Sequence, residues 1–228
     1  MESILAWHWS DGLKCQYDAR PIVVGETLTY DGKEPIKLCN RGLHASLKIL
    51  DALGYAPGNT ISRVRLSGQI IKGDDKLVAT KRTCLWAFDA KYVLISWAAD
   101  CAERALLRER GEGREPDRTC FEAIEAARVF VRYPNAENCR AARAAGRAAS
   151  TAGYAAEAAG YAASAAGDVD YAAGDAEFLR GWRVQYAAYA AEAAYVACAA
   201  GSAEAEKERK WQSAHLRNLI AAGRAAGP

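Results

Sequence analysis

The sequence predicts an α+β protein: a small β-rich N-terminal module, then amphipathic helices, then a long Ala/Gly-rich helical hairpin or bundle. Three observations carry that expectation. The first 88 residues hold short runs of β-branched and aromatic residues broken by glycine, proline and Asp-Gly. Residues 89–135 change to apolar positions spaced three and four apart, with capping residues ahead of them. From residue 140 onward 34 of 89 residues are alanine, and glycine recurs at 146, 153, 160, 167, 174 and 181. The expected divisions are therefore 1–88, 89–135 and 136–228.

Within the first division, "SILAWHW" (3–9) reads as an aromatic strand. "PIVVGETLTYDGK" (21–33) reads as two extended pieces around Gly25, closed by a turn at Asp31 and Gly32. In "TISRVRLSGQII" (60–71), Ile61, Val64 and Leu66 alternate with polar residues, the pattern of a half-buried strand. "KLVAT" and "TCLWAF" follow as two shorter strands. Between these lies "SLKILDALGYA", with Leu47, Leu50 and Leu53 three apart, Ser46 as N-cap and Gly54 at the C-terminal end of a compact helix.

Asp89 then caps a helix over 90–110 with a Tyr92, Ile95, Trp97 and Cys101 face. Asp117 caps another over 118–133, with Phe121, Ile124 and Val131 on one stripe. Pro134 stops that helix and Asn135 caps the next. In the last division alanine favours helix, and a seven-residue glycine repeat keeps one stripe on one helix face. Each such glycine costs about 0.5–1 kcal/mol relative to alanine, tolerable where a neighbouring backbone packs closely. A partner helix over 184–223 places Tyr186, Tyr189 and Tyr195 against the glycine row, and Trp211, Leu216, Leu219 and Ile220 form its heavier apolar end. A short-rung β-solenoid is the alternative, disfavoured by so much alanine.

Thirty basic against 28 acidic residues give a net charge of +2, too balanced to argue for nucleic acid on charge alone. The opening residues carry no basic n-region or signal-length apolar run, and no window is apolar enough to span a membrane, so a cytoplasmic chain is expected. Seven scattered cysteines without a C-x-x-C pair fit reduced thiols, and the three histidines complete no ligand set with them. No metal, cofactor or catalytic residue is expected.

Chemistry is concentrated in "NRGLHAS" (40–46). Arg41, His44 and Ser46 lack the third, orienting group that a nucleophile–base pair needs, so Gly42 is read as a turn, Ser46 as a cap and His44 as packed against the sheet. Arg63 and Arg65 face the same way on one strand. With Lys81 and Arg82 they form a basic strand face suited to phosphate or an acidic partner, or a solvated face. Trp7, Trp9 and Tyr17 read as core, with one exposed tryptophan able to anchor an interface; Trp9 joins the candidate binding residues.

The cysteine followed by "GLHAS", "DALGYA", a strand of the "SRVRLSG" type and "GDDKLVATK" resembles an uncharacterised N-terminal domain of phage and prophage proteins, often carrying an alanine-rich tail that ends like "AEKERKWQSAHLRNLI" (205–220). That resemblance implies no activity. It implies a phage or mobile-element protein that binds host machinery, a host protein or a protein–nucleic-acid complex, including a defence system such as CRISPR-Cas. A second resemblance, through Trp7-His8-Trp9 and through 42–46 with 52–56, is to the ADP-ribosyltransferase fold. No glutamate lies between Glu34 and Glu103, so that resemblance implies a nucleotide-binding domain with weak or absent transfer chemistry. The expected function is non-enzymatic binding, with a homodimer through the Ala/Gly helices; the alternative is the ADP-ribosyltransferase-like or nucleotide-binding domain.

Overall fold

The computed structural model describes residues 3–149, 161, 162, 189 and 202–226. The chain is α+β and forms two compact units, Met1–Ala90 and Lys91–Pro228, the first built on a five-stranded antiparallel sheet and the second on helices.

In the first unit the strands are β1 (Ile4–Ser10), β2 (Thr27–Thr29), β3 (Leu43–Ala45), β4 (Thr60–Lys72) and β5 (Leu77–Asp89), with one short helix, α1 (Ile49–Leu53). The alternation of Ile61, Val64 and Leu66 places β4 at the centre, between β1 and β5. The two shorter strands expected after it are one continuous β5, because Lys81-Arg82-Thr83 interrupts the apolar run without breaking the ladder. A bulge at Gly68 accommodates the turn of β4, with φ of +80° and Gln69 N–H donating to Thr80 Oγ1 at 3.0 Å. Only Thr27–Thr29 of the expected 21–33 pair becomes a strand, and no Asp31-Gly32 turn forms.

The far edge of β5 is shared. β2 pairs with Lys81–Thr83 and β3 with Leu77–Ala79. β3 then reaches β1 through a single bridge: Trp7 N–H donates to Ser46 O at 2.8 Å and Ser46 N–H to Trp7 O at 2.9 Å. The sheet thus nearly closes on itself around Ala6, Ala45, Val64, Leu66, Leu77 and Ala79. Small residues fit because a ring of so few strands leaves little interior volume.

This bridge corrects the reading of Ser46. It is 2% exposed, and α1 begins three residues later behind Lys48, which makes no side-chain cap. An aspartate at 46 would bury a charge instead of capping a helix. Gly54 lies in the right-handed region, and Leu47 is exposed while Ile49, Ala52 and Leu53 are buried. His44 does not pack on the sheet from outside; it is a strand residue opposite Val78. Gly42 does make the turn, at φ of +114°, where a Cβ would come within 2.5 Å of Val78 Cγ2.

In the second unit the helices are α2 (Lys91–Gly111), α3 (Arg118–Arg132), α4 (Ala136–Ala149) and α5 (Ala203–Ala225). Asp117 caps α3 by accepting from Thr119 N–H at 2.8 Å, and Asn135 accepts from Asn138 N–H at 2.8 Å at the head of α4. α3 buries Cys120, Ala123, Ile124, Ala127 and Phe130, one position round from the expected Phe121 and Val131 stripe. α2 is buried on most sides, with Tyr92 exposed. Leu216 and Ile220 bury the apolar end of α5. Of the glycine repeat only Gly146, in α4, lies within the described residues; Gly153 to Gly181, Tyr186, Tyr195 and the helical pairing built on them lie outside. Tyr189 does meet Tyr161, with ring centroids 5.4 Å apart. Among the described residues no helix is long and apolar enough to cross a membrane.

Glu208 of α5 is 1% exposed and accepts from Arg104 at 3.0 Å and Arg108 at 2.8 Å, both on α2. Trp97 Nε1 donates to Gln212 O at 3.0 Å beside it. A buried carboxylate between two cations fixes how α2 and α5 register. Glu208→Ala should lower unfolding stability by about 2–3 kcal/mol, at or just below the bottom of the range for breaking a buried pair, because both arginines can turn to water. Arg104→Ala should cost less than about 1 kcal/mol, since Arg108 remains. Urea unfolding followed by helical circular dichroism measures both.

Candidate anion site of the N-terminal unit

β1 keeps its bridge to β3 only at Trp7 and Ser46, so His8 and Trp9 have no partner strand on that side. Two adjoining cavities open there. The first, about 270 Å³, is lined by Trp7, His8, Trp9, Tyr17, Tyr55 and Lys76 among others. The second, about 180 Å³, is lined by His8, Cys15, Tyr17, Arg20, Arg41, His44 and Arg82 among others. His8, Gln16, Tyr17 and His44 belong to both walls, so the histidines stand where the two chambers meet.

Arg82 sets the electrostatics. Strand alternation turns it away from its exposed neighbour Lys81, and it is only 5% exposed. Its guanidinium donates to the His44 carbonyl at 2.8 Å and to the Cys15 sulfur at 3.4 Å. Neither acceptor is a carboxylate, and among the described residues no carboxylate forms an ion pair with it. The other guanidiniums in the wall are matched. Arg20 pairs with Asp18 at 2.7 Å and with Asp31 at 3.6 Å, and Arg41 contacts Glu34. One buried positive charge is left over.

Around it, polar atoms wait without partners. His8 Nδ1, His44 Nε2, Trp9 Nε1 and Arg41 Nε are enclosed and make no hydrogen bond. Burial pushes the His8 imidazole well below its ordinary value, and the charge of Arg82 and the neighbouring His44 push the same way. His44 is lowered by burial first, then by Arg82 and Lys76, against a hydrogen bond with the Gly42 backbone that raises it. Both rings are neutral at pH 7, able to donate or accept according to tautomer. Burial raises the Cys15 thiol, partly offset by Arg82, so it is a poor nucleophile. Neither wall contains a glutamate. The arrangement sets a buried guanidinium and unpartnered imidazole nitrogens along one cavity wall.

Of the residues expected from sequence, Arg41, His44, Arg82 and Trp9 come together in these walls. Arg63, Arg65 and Lys81 lie elsewhere. Arg63 and Arg65 do share a face, with buried Val64 between them; Arg63 lies over the Trp7 ring at 4.5 Å, and Arg65 and Lys81 are exposed. Arg82 is therefore removed from the expected basic strand face. Tyr17, expected in the core, is 78% exposed at the cleft mouth. His8, Cys15, Tyr55 and Lys76 were not singled out as binding residues by sequence. The available signal for His8 was its place in Trp7-His8-Trp9, the stretch that carries the resemblance to the ADP-ribosyltransferase fold.

Residues 8–96 match a family described as Domain of unknown function (DUF7666). The matched stretch spans every cleft residue named above except Trp7 and stops in the first turns of α2. No curated protein and no solved structure matches the chain.

The neutral histidines have a consequence for stability. In the unfolded chain each titrates near its ordinary 6.5, whereas the folded protein holds both below that value. As pH falls through about 6.5 the unfolded state takes up protons that the folded state refuses, so the histidines' contribution to stability declines toward acid and is complete above about pH 7.5. The melting temperature, measured across that range, should follow this course, and His8→Gln should remove much of the slope between about pH 5 and 6.5. An unchanged slope in His8→Gln would contradict a buried neutral His8.

Proposed function

We propose that the N-terminal unit is a non-catalytic receptor for a small anion of the phosphate type, bound in the second chamber by Arg82, His8 and His44. One observation carries the reading: a buried guanidinium with no carboxylate partner faces a cavity in which two histidine nitrogens are also unpartnered. An isolated buried cation is costly, and an incoming anion supplies the missing charge with hydrogen bonds that are stronger for being charge-assisted. The reading keeps the non-enzymatic binding expected from sequence and draws on its nucleotide-binding alternative.

A second reading, contact between a phage-encoded protein and an acidic host macromolecule, draws on the exposed strand face that carries Arg65 and Lys81. It uses a different surface, so the two are separable by mutation.

Titrating inorganic phosphate into the full chain by calorimetry tests the anion site. Binding should weaken at least about tenfold in Arg82→Gln, the loss of one charge-assisted pair, and should be unaffected by Arg65→Glu. Equal affinity in wild type and Arg82→Gln would rule the site out.

A further inference from the structure

The first chamber differs in chemistry from the second. Its wall holds four aromatic side chains, Trp7, Trp9, Tyr17 and Tyr55, one ammonium and no carboxylate. Two of the rings are already engaged: Arg63 covers a face of Trp7 with Trp86 edge-on to it at 5.8 Å, and Lys76 Nζ sits over Tyr55 at 3.7 Å. The buried Trp9 Nε1 is a donor with nothing to donate to. Tyr17 is the aromatic common to both chambers, and it has no ring contact or hydrogen bond among the described residues. It does not hang free, because its turn is tied by Cys15 N–H to Arg20 O at 2.9 Å and Ala19 N–H to Cys15 O at 3.0 Å. An unengaged ring, carried on a tied turn beside the seam between an aromatic chamber and a cationic one, suits a ligand that is flat at one end and anionic at the other.

We infer that the ligand is a nucleoside monophosphate, its base in the first chamber stacked by Tyr17 and its phosphate in the second against Arg82. This rests on the anion-site reading and adds the ring. The first chamber, about 270 Å³, is close to the lower end of the range for small-molecule sites, roughly 300 Å³, before the second is joined to it. Trp9 Nε1 supplies a hydrogen bond to a ring acceptor, and stacking needs no particular base because every base has a π-face. The phosphate meets the guanidinium and both histidines, which explains why those two rings sit at the junction and not at the mouth.

The test uses four probes on the full chain: inorganic phosphate, ribose 5-phosphate, adenosine and AMP, followed by calorimetry or tryptophan fluorescence. AMP should bind at least about tenfold more tightly than ribose 5-phosphate or phosphate, the increment of one stacked base. Tyr17→Ala should remove that advantage, so that AMP and ribose 5-phosphate bind it alike, and Tyr17→Phe should keep it. Tyr17 lies outside the core, so these variants fold if the wild type does. If phosphate binds and AMP binds no better, the ring assignment is wrong and the anion site stands. Adenosine binding as tightly as AMP would show that the chambers do not act together and would overturn the joined site. If no phosphate-bearing probe binds, both readings fail.

Discussion

The burial of Arg82 without a carboxylate governs the N-terminal unit. Moving a guanidinium out of water costs several kcal/mol even after relaxation, and a backbone carbonyl with a thiol recovers only part of that. The surroundings are arranged to tolerate it. His8 and His44 stay neutral beside it, Cys15 offers a polarizable sulfur, and the other arginines are paired with Asp18, Asp31 and Glu34. A protein selected only for stability would place an apolar residue opposite Leu66 and Leu28, the two strand partners of Arg82. That an arginine stands there is what distinguishes the cleft from a packing gap.

The backbone supplies the room. Since β2 and β3 share one edge of β5, and β3 touches β1 by a single bridge, the sheet closes at one end and parts at the other. The closed end is filled by alanines and branched residues; the parted end exposes His8 and Trp9 to the turns that carry Tyr17 and Arg41. The helical unit works differently. Its interior combines alanines with Trp97, Phe130, Leu216 and Ile220 around a carboxylate held by two arginines, an arrangement that sets the pairing of α2 with α5 and contains no comparable unpaired charge in the residues described.

Much of the fold was legible because its signals are local. Alternation in 60–71 gave β4, and the short polar side chains of Asp117 and Asn135 cap the helices that follow them. Ser46 was misread because a serine ahead of spaced leucines looks the same whether it caps a helix or bridges a strand 39 positions away; only tertiary pairing decides. Lys81-Arg82 read as one basic strand face, for binding or for solvent, although neighbours on a strand face opposite ways and one of the two had to turn inward. The cleft itself could not be read from sequence, since His8, Tyr17, His44 and Arg82 are joined only by strand closure. Tyr17 reads as core in the sequence because an aromatic residue in a turn carries no periodicity to show that it is exposed.

The most direct measurement compares the unfolding free energies of wild type and Arg82→Met in anion-free buffer and again with added phosphate. If Arg82 is kept for binding at a cost to the fold, Arg82→Met is at least as stable as wild type without phosphate, and only wild type gains stability when phosphate is added, rising with the logarithm of ligand concentration above Kd. A variant several kcal/mol less stable in anion-free buffer, with a wild type that phosphate leaves unmoved, would show that Arg82 is a structural tie and that the cleft binds no anion.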